Sequence, residues 1–392
     1  MRAIMKTLAV GTLIALLSAW TPQDEPGFVP LFNGRTLDGW VNVNCAPSTW
    51  SVRDGMIYST GKPICELRTA RMFENFVLEL EYQHLDPQGN AGVFIWGDAL
   101  TAPGQPFVRA IEVQILDGRN TDNYTSHGDV FAIHGARMTP DRPHPGGWMR
   151  SLPIERRARP AGEWNHYRIT ASNGTIKLAV NGKEVSGGYD IAPRKGYIHL
   201  ESEGGRVLYR NLRLKELPSA GTLAPDQIAQ AAEGFVSIYT GTDFTGWQHH
   251  KGHEGHWTSK DWAIAYDGGG EPGDRTLLTE TVYSDVAVIA DWRWTNVKNG
   301  RTLPIWFDGV PLTDETQATI AGSLATIPSG SSSNGWRRAM LTRLSGRLSL
   351  VIDRQTVFEN LAVPPAGARG RLVLRPQEGA AEFASIFVKA IK

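Results

Sequence analysis

The sequence predicts an all-β protein built as two tandem antiparallel sandwiches, and three observations predict it. Among 392 residues there are 42 Gly, 23 Pro and 13 Trp, with few long helical patterns, which suits a turn-rich chain of strands. Short segments alternate apolar and polar residues between turn signals, as half-buried strands do. The chain also repeats itself. Phe28, Gly34, Trp40, Trp50, Asp54 and Ile57 recur as Phe235, Gly241, Trp247, Trp257, Asp261 and Ile264, each 207 positions later. At an offset of 210, Phe73, Asn75, Tyr82 and Trp96 meet Tyr283, Asp285, Trp292 and Trp306. Trp164, Gly174 and Asn181 meet Trp336, Gly346 and Asp353 at an offset of 172, so the second copy is 38 residues shorter. The deficit falls on the stretch holding residues 111–117 and the long loop to Trp148. A duplicated scaffold that lost its polar strand in one copy suggests one working domain and one accessory domain.

At the N-terminus, Arg2 and Lys6 precede an apolar run over 8–17, and Ser18-Ala19 offers small residues for cleavage. Residues 1–19 are therefore expected to be an export signal, too short to span a membrane, with no cysteine after it to carry a lipid. The mature protein is expected to be periplasmic or secreted, without membrane insertion. Residues 26–217 form the first predicted sandwich. Its clearest strands are 76–82, 91–96, 164–170, 175–180, 183–185, 196–201 and 207–214, with the Asn181-Gly182 hairpin signal between two of them. Residues 218–233 read as a linker, with two helical turns over 225–232. Residues 234–392 form the second sandwich, with strands at 286–292, 348–352, 371–374 and 383–388.

Charge excludes one class of partner. Forty basic residues balance 40 acidic ones, with no basic stripe to track a phosphate backbone, so nucleic acid is not an expected partner. Cys45 and Cys65 are the only cysteines, lie close in sequence and are expected to form a disulfide in an exported protein.

The chemistry is expected in residues 111–117. Ile111, Val113 and Ile115 share one face of a strand, while Glu112 and Gln114 share the other and Asp117 ends it. The following loop to Arg150 carries His127, His134, His144 and Trp148, and is expected to form a rim, with Trp96 or Trp148 as a platform for a sugar ring. Trp40, Trp50 and Trp164 recur in the second copy and read as scaffold. His249, His250, His253 and His256, with Glu254, lack recognised ligand spacing and read as a solvated loop. No cofactor is implied, and a divalent metal is left open.

Several motifs recur in order: Leu31-Phe-Asn-Gly34, Leu37-Asp-Gly-Trp40, Asn90-Ala-Gly92, Glu112-Val-Gln-Ile-Leu-Asp117, Gly162-Glu-Trp-Asn165 and Tyr209-Arg-Asn-Leu212. Over residues 26–217 this set resembles the 3-keto-disaccharide hydrolase family. The resemblance implies two tandem concanavalin-like jelly rolls, the second degenerate, related in shape to laminarinase-type glycoside hydrolases. Glu112, Gln114 and Asp117 resemble the Glu-x-Asp-x-x-Glu strand of those hydrolases, with Gln in place of the middle acid and a shorter last acid, which disfavours ordinary retaining hydrolysis. The family implies instead that a base removes the C2 proton beside a C3 ketone, the C1 substituent leaves, and water adds back. Glu112 is then the expected base, with Arg68, Gln114 and His134 for the enolate oxygen and Glu203 as acid. The alternative is a non-catalytic, lectin-like carbohydrate-binding protein on the same fold.

Overall fold

A computed structural model describes residues 25–117, 128–219, 221–297, 300–327, 335–362 and 369–391. The export-signal segment and His127 lie outside the described residues. No described helix is long and apolar enough to cross a membrane.

The described chain is two concanavalin-like jelly-roll sandwiches. In the first, a nine-stranded sheet is centred on Phe76–His84, which pairs antiparallel with Asn165–Ser172 and Val207–Glu216. The second sheet has seven strands, in the order Arg150–Ser151, Val130–Ile133, Ala110–Leu116, Asn90–Gly97, Tyr197–Ser202, Cys65–Thr69 and Trp40–Val43. Apolar residues on alternate positions of both sheets meet between them: Leu78, Leu80 and Ile169 from one, Val93, Val113 and Leu200 from the other.

The duplication extends to single hydrogen bonds. The Trp40 indole donates to the Leu31 carbonyl, and the Trp247 indole to the Ile238 carbonyl, both at 3.0 Å. Trp50 pairs with Ser59 as Trp257 pairs with Tyr266. His166 N donates to the Asn181 side chain, and Arg338 N to the Asp353 side chain, both at 2.9 Å. Among the described residues the second sandwich keeps an eight-stranded large sheet but three strands opposite it, Leu277–Leu278, Leu372–Leu374 and Ile305–Phe307. Where the first copy runs its polar strand, the Asp314–Thr326 helix buries Ile320 and Leu324 against the core. Residues 317–321, the counterpart of the polar strand by sequence, are thus helical.

Two other segments differ from expectation. The loop to Arg150 is partly stranded: Val130–Ile133 extends the small sheet, and Arg137–Pro140 joins the large one against Lys183–Ala192. Between the sandwiches, the two expected helical turns reduce to one 3-10 turn, Pro225–Gln227. Beyond it Ile228 bridges Lys195 in parallel and Ala229 is buried, because pairing with the first sandwich satisfies this backbone better than a short isolated helix would.

Cys45 and Cys65 form the disulfide, with Cα atoms 5.3 Å apart. It ties the Trp40–Val43 edge to the Cys65–Thr69 strand. Replacing both cysteines by serine is expected to cost on the order of 3 kcal/mol. Denaturant unfolding with and without reductant checks this, and an unchanged midpoint would refute it.

Candidate active site

The outward face of the seven-stranded sheet is polar, although almost none of it is exposed. With Leu67, Val93, Val113, Val130 and Leu200 in the core, alternation places Glu66, Arg68, Gly92, Glu112, Gln114, Asp129, His199 and Glu201 on the opposite face. Cross-strand register sets Glu66 beside Glu201, and Gly92 beside Gln114. The next row runs Arg68, His199, Phe94, Glu112 and Phe131. Glu112 is 5 % exposed and Glu201 1 %.

Gly92 is the floor of this face. A Cβ there would stand 2.8 Å from Glu201 Oε2 and 3.2 Å from Glu112 Oε1, so only glycine leaves the gap between the two carboxyls open. Among the described residues neither carboxyl oxygen of Glu201 has a hydrogen-bond partner. Glu203, one step along, accepts a hydrogen bond from the Asn90 side chain. Glu66 lies behind Glu201, with Oε2 2.6 Å from His199 Nδ1 and Oε1 accepting from Val108 N at 2.7 Å. At the other side Arg150 sits 3.9 Å from Asp129 and covers the Phe131 ring at 4.0 Å. Trp148, half exposed, stacks on His144 with ring centroids 4.3 Å apart, and extends this rim.

Burial and mutual repulsion hold protons on this cluster. Desolvation, then the Glu203 charge, pushes Glu112 well above the usual carboxylate range, while Arg150 opposes the shift. Glu201 is pushed well above that range by burial and then by Glu112 and Glu203, with nothing opposing. Glu203 is raised to about 7, chiefly by burial and against the Asn90 hydrogen bond, with the Asp261 charge adding to the rise. Burial and mutual repulsion therefore favour the protonated forms of Glu112 and Glu201, beside a Glu203 at about 7.

The expected site residues divide accordingly. Glu112, Gln114, Glu203 and Trp148 lie on or beside this face. Asp117 does not belong to it. Its parity matches Ile115, and its oxygens accept from Gln88 N at 2.7 Å and Ala161 N at 3.2 Å, so it latches two turns. Trp96 is no platform. A bulge sets Ile95 and Trp96 together opposite Ile198, which turns Trp96 into the core, where its indole donates to the Glu74 carbonyl at 2.7 Å. Arg68 is on the face, but its guanidinium donates to the Ala99 and Thr69 carbonyls and covers Tyr197 at 4.4 Å, which leaves it a bracing role. His134 lies against Phe107, beyond the apolar cluster of Phe94, Val108 and Ala110, and burial lowers it to about 4.

The expected set omitted Glu66, His199 and Glu201. The same alternation that singled out Glu112 was available in Cys65-Glu-Leu-Arg68 and in His199-Leu-Glu201. The histidine-rich segment of the second sandwich is packing rather than ligation: His249 stacks on Phe244 at 4.4 Å and His250 on His253 at 3.9 Å. Among the described residues no group of three or more His, Cys, Asp or Glu is placed to hold a metal ion.

Residues 27–215 match the family of 3-keto-alpha-glucoside-1,2-lyase-like domains. The first sandwich belongs to this family. A curated relative, the 3-keto-disaccharide hydrolase of Bacteroides thetaiotaomicron, is 24% identical over 249 residues, covering 50% of this chain and 80% of its own. A solved structure of a candidate glycosyl hydrolase from Parabacteroides distasonis aligns at 19% identity and a TM-score of 0.39, over 49% of this chain and 94% of its own. A second from that organism aligns at 25% identity and a TM-score of 0.37, over 48% and 99%. At the level of this family, the first sandwich is glycosyl-hydrolase-like.

Proposed function

We propose that the first sandwich cleaves 3-keto-disaccharides by elimination and hydration, in an exported protein. The observation that carries this reading is the buried pair of Glu112 and Glu201 on either side of the Gly92 gap, with the half-buried Glu203 beside them at about 7. The name of the Bacteroides relative and the lyase-like description of the family support the substrate class.

The C3 ketone acidifies the C2 proton. Glu112 is assigned as the base that takes this proton, since Arg150 offsets part of the rise of Glu112 while nothing offsets that of Glu201. Glu201 stays protonated and donates a hydrogen bond to the enolate oxygen, as an acid kept neutral by burial can. The enolate then expels the C1 oxygen, which Glu203 protonates, and the C1–O bond breaks to leave an enone. Water adds its hydroxyl to C1 and a proton to C2, so the sum is hydrolysis of one glycosidic bond. Trp148 offers an exposed ring face beside the rim for a second sugar.

The test is a screen of matched oxidised and unoxidised disaccharides. Cleavage of the 3-keto members alone is expected. Equal cleavage of unoxidised partners would overturn the elimination route, and binding without turnover would put the lectin-like alternative ahead.

A further inference from the structure

The second sandwich touches the first at the segment that braces the site. Residues 98–108 connect the Asn90–Gly97 and Ala110–Leu116 strands, and they hold the two side chains behind the carboxyl trio. Val108 N donates to Glu66 at 2.7 Å, and the Ala99 carbonyl accepts from Arg68 at 3.1 Å. This segment is gripped from the far side. Asp291 of the second sandwich, fully buried, accepts from Gly104 N at 2.9 Å. Arg338 pairs with both oxygens of Asp291 at 2.7 and 2.8 Å, and donates to the Thr101 carbonyl at 2.9 Å. Thr101 and Ser385 hydroxyls meet at 2.7 Å. Gly104 lies on Trp336 so closely that a Cβ would fall 2.2 Å from its Cγ. A second grip lies nearby, where Asp261 accepts from Ile64 N at 2.7 Å, next to the strand carrying Glu66.

The duplication sharpens the meaning of these contacts. Asp291 and Arg338 pair across strands as Glu81 and His166 do in the first copy. In the first copy, Glu81 instead pairs with the 40 % exposed Arg210 on the outer face of the sheet. The second copy has turned the equivalent outer face into a seat.

We propose that the second sandwich is a positioning element for the first: Asp291 and Arg338 hold residues 98–108, and through Val108 and Ala99 that segment fixes Glu66 and Arg68 behind Glu201. This rests on the acid/base reading of the trio. Charge links the two groups, since Glu66 adds to the upward shift of both Glu112 and Glu201. Asp291 and Arg338 touch no substrate, so their effect is on placement.

The test uses the full chain with Arg338→Met, Arg338→Lys and Gly104→Val, and reads amide hydrogen exchange over 98–108 together with kcat and KM. Arg338→Met and Gly104→Val are expected to speed exchange in 98–108 about 10-fold or more while the strands of both sandwiches stay protected. They are expected to lower kcat about 10-fold with KM within a factor of about 2, because misplacement of a catalytic group acts on the chemical step. Arg338→Lys, which still donates to Thr101 and pairs with Asp291, is expected to recover most of both. Gly104→Val carries the comparison if Arg338→Met does not fold, because it leaves the second sandwich intact. A folded variant with unchanged exchange overturns the proposal, and so does faster exchange with unchanged kcat. If the wild-type chain cleaves no 3-keto-disaccharide, the functional reading fails, and the exchange comparison alone upholds or overturns the seating.

Discussion

Glu112→Gln is expected to lower kcat by roughly 10²–10⁴-fold while leaving KM within a few-fold, because an amide cannot take the C2 proton but keeps the shape of the side chain. Glu201→Gln is expected to cost less, about 10-fold, since an amide still donates a hydrogen bond to the enolate oxygen. Glu201→Ala removes the donor and is expected to cost roughly 10²–10³-fold. Steady-state kinetics on a 3-keto-disaccharide, with C2–H exchange into heavy water as a second readout, checks the ranking. Loss of C2 exchange in Glu112→Gln but not in Glu201→Gln is the expected pattern. The reverse pattern would exchange the two roles. Full activity in both variants would remove the trio from the mechanism.

The second large effect is on pH dependence, and it shows in both activity and stability. Glu203 must be protonated to serve as the acid, so kcat/KM is expected to fall as pH rises through about 7. Glu203→Gln is expected to lower activity roughly 10²-fold and to lose that alkaline limb. Stability runs the same way. The folded Glu203 sits at about 7 against an ordinary value of 4.5, so the folded state binds more protons than the unfolded state between these values. Its contribution is therefore fully present below pH 4.5 and is lost as pH rises through 7. Glu203→Gln should melt a few degrees higher than wild type at pH 8 and show no such gain at pH 4. A variant that keeps the alkaline limb, or that is no more stable at pH 8, would exclude Glu203 as the acid.

Much of the scaffold was legible in the chain. The tryptophans at constant offsets predicted paired landmarks, and the shared indole-to-carbonyl bonds of Trp40 and Trp247 show why they persist: each satisfies a buried donor at the same place in the fold. Glu112 and Gln114 were legible because strand alternation is local. Asp117 and Trp96 were not, for two different reasons. Asp117 was read from its place at the strand end and its likeness to the last acid of the hydrolase strand motif, but its carboxylate answers backbone amides of turns at 88 and 161, contacts that no local pattern announces. Trp96 was read as a candidate ring platform at the rim, but a bulge in its strand turns the indole into the core.

The sequence by itself determined which residues share a face within each strand, that the scaffold occurs twice, and that one copy lacks the polar strand. Only the tertiary structure decided which strands are neighbours, and hence that Glu66, Glu112, Glu201 and Glu203, from three separate stretches, gather on one sheet face. It alone decided that the segment answering in sequence to the missing strand is a helix packed on the second core, and that the second sandwich closes on residues 98–108. The physical reason is range. Side-chain alternation follows from the backbone of a single strand, whereas register, bulges and the shared burial that moves carboxyl protons arise between segments tens to hundreds of residues apart.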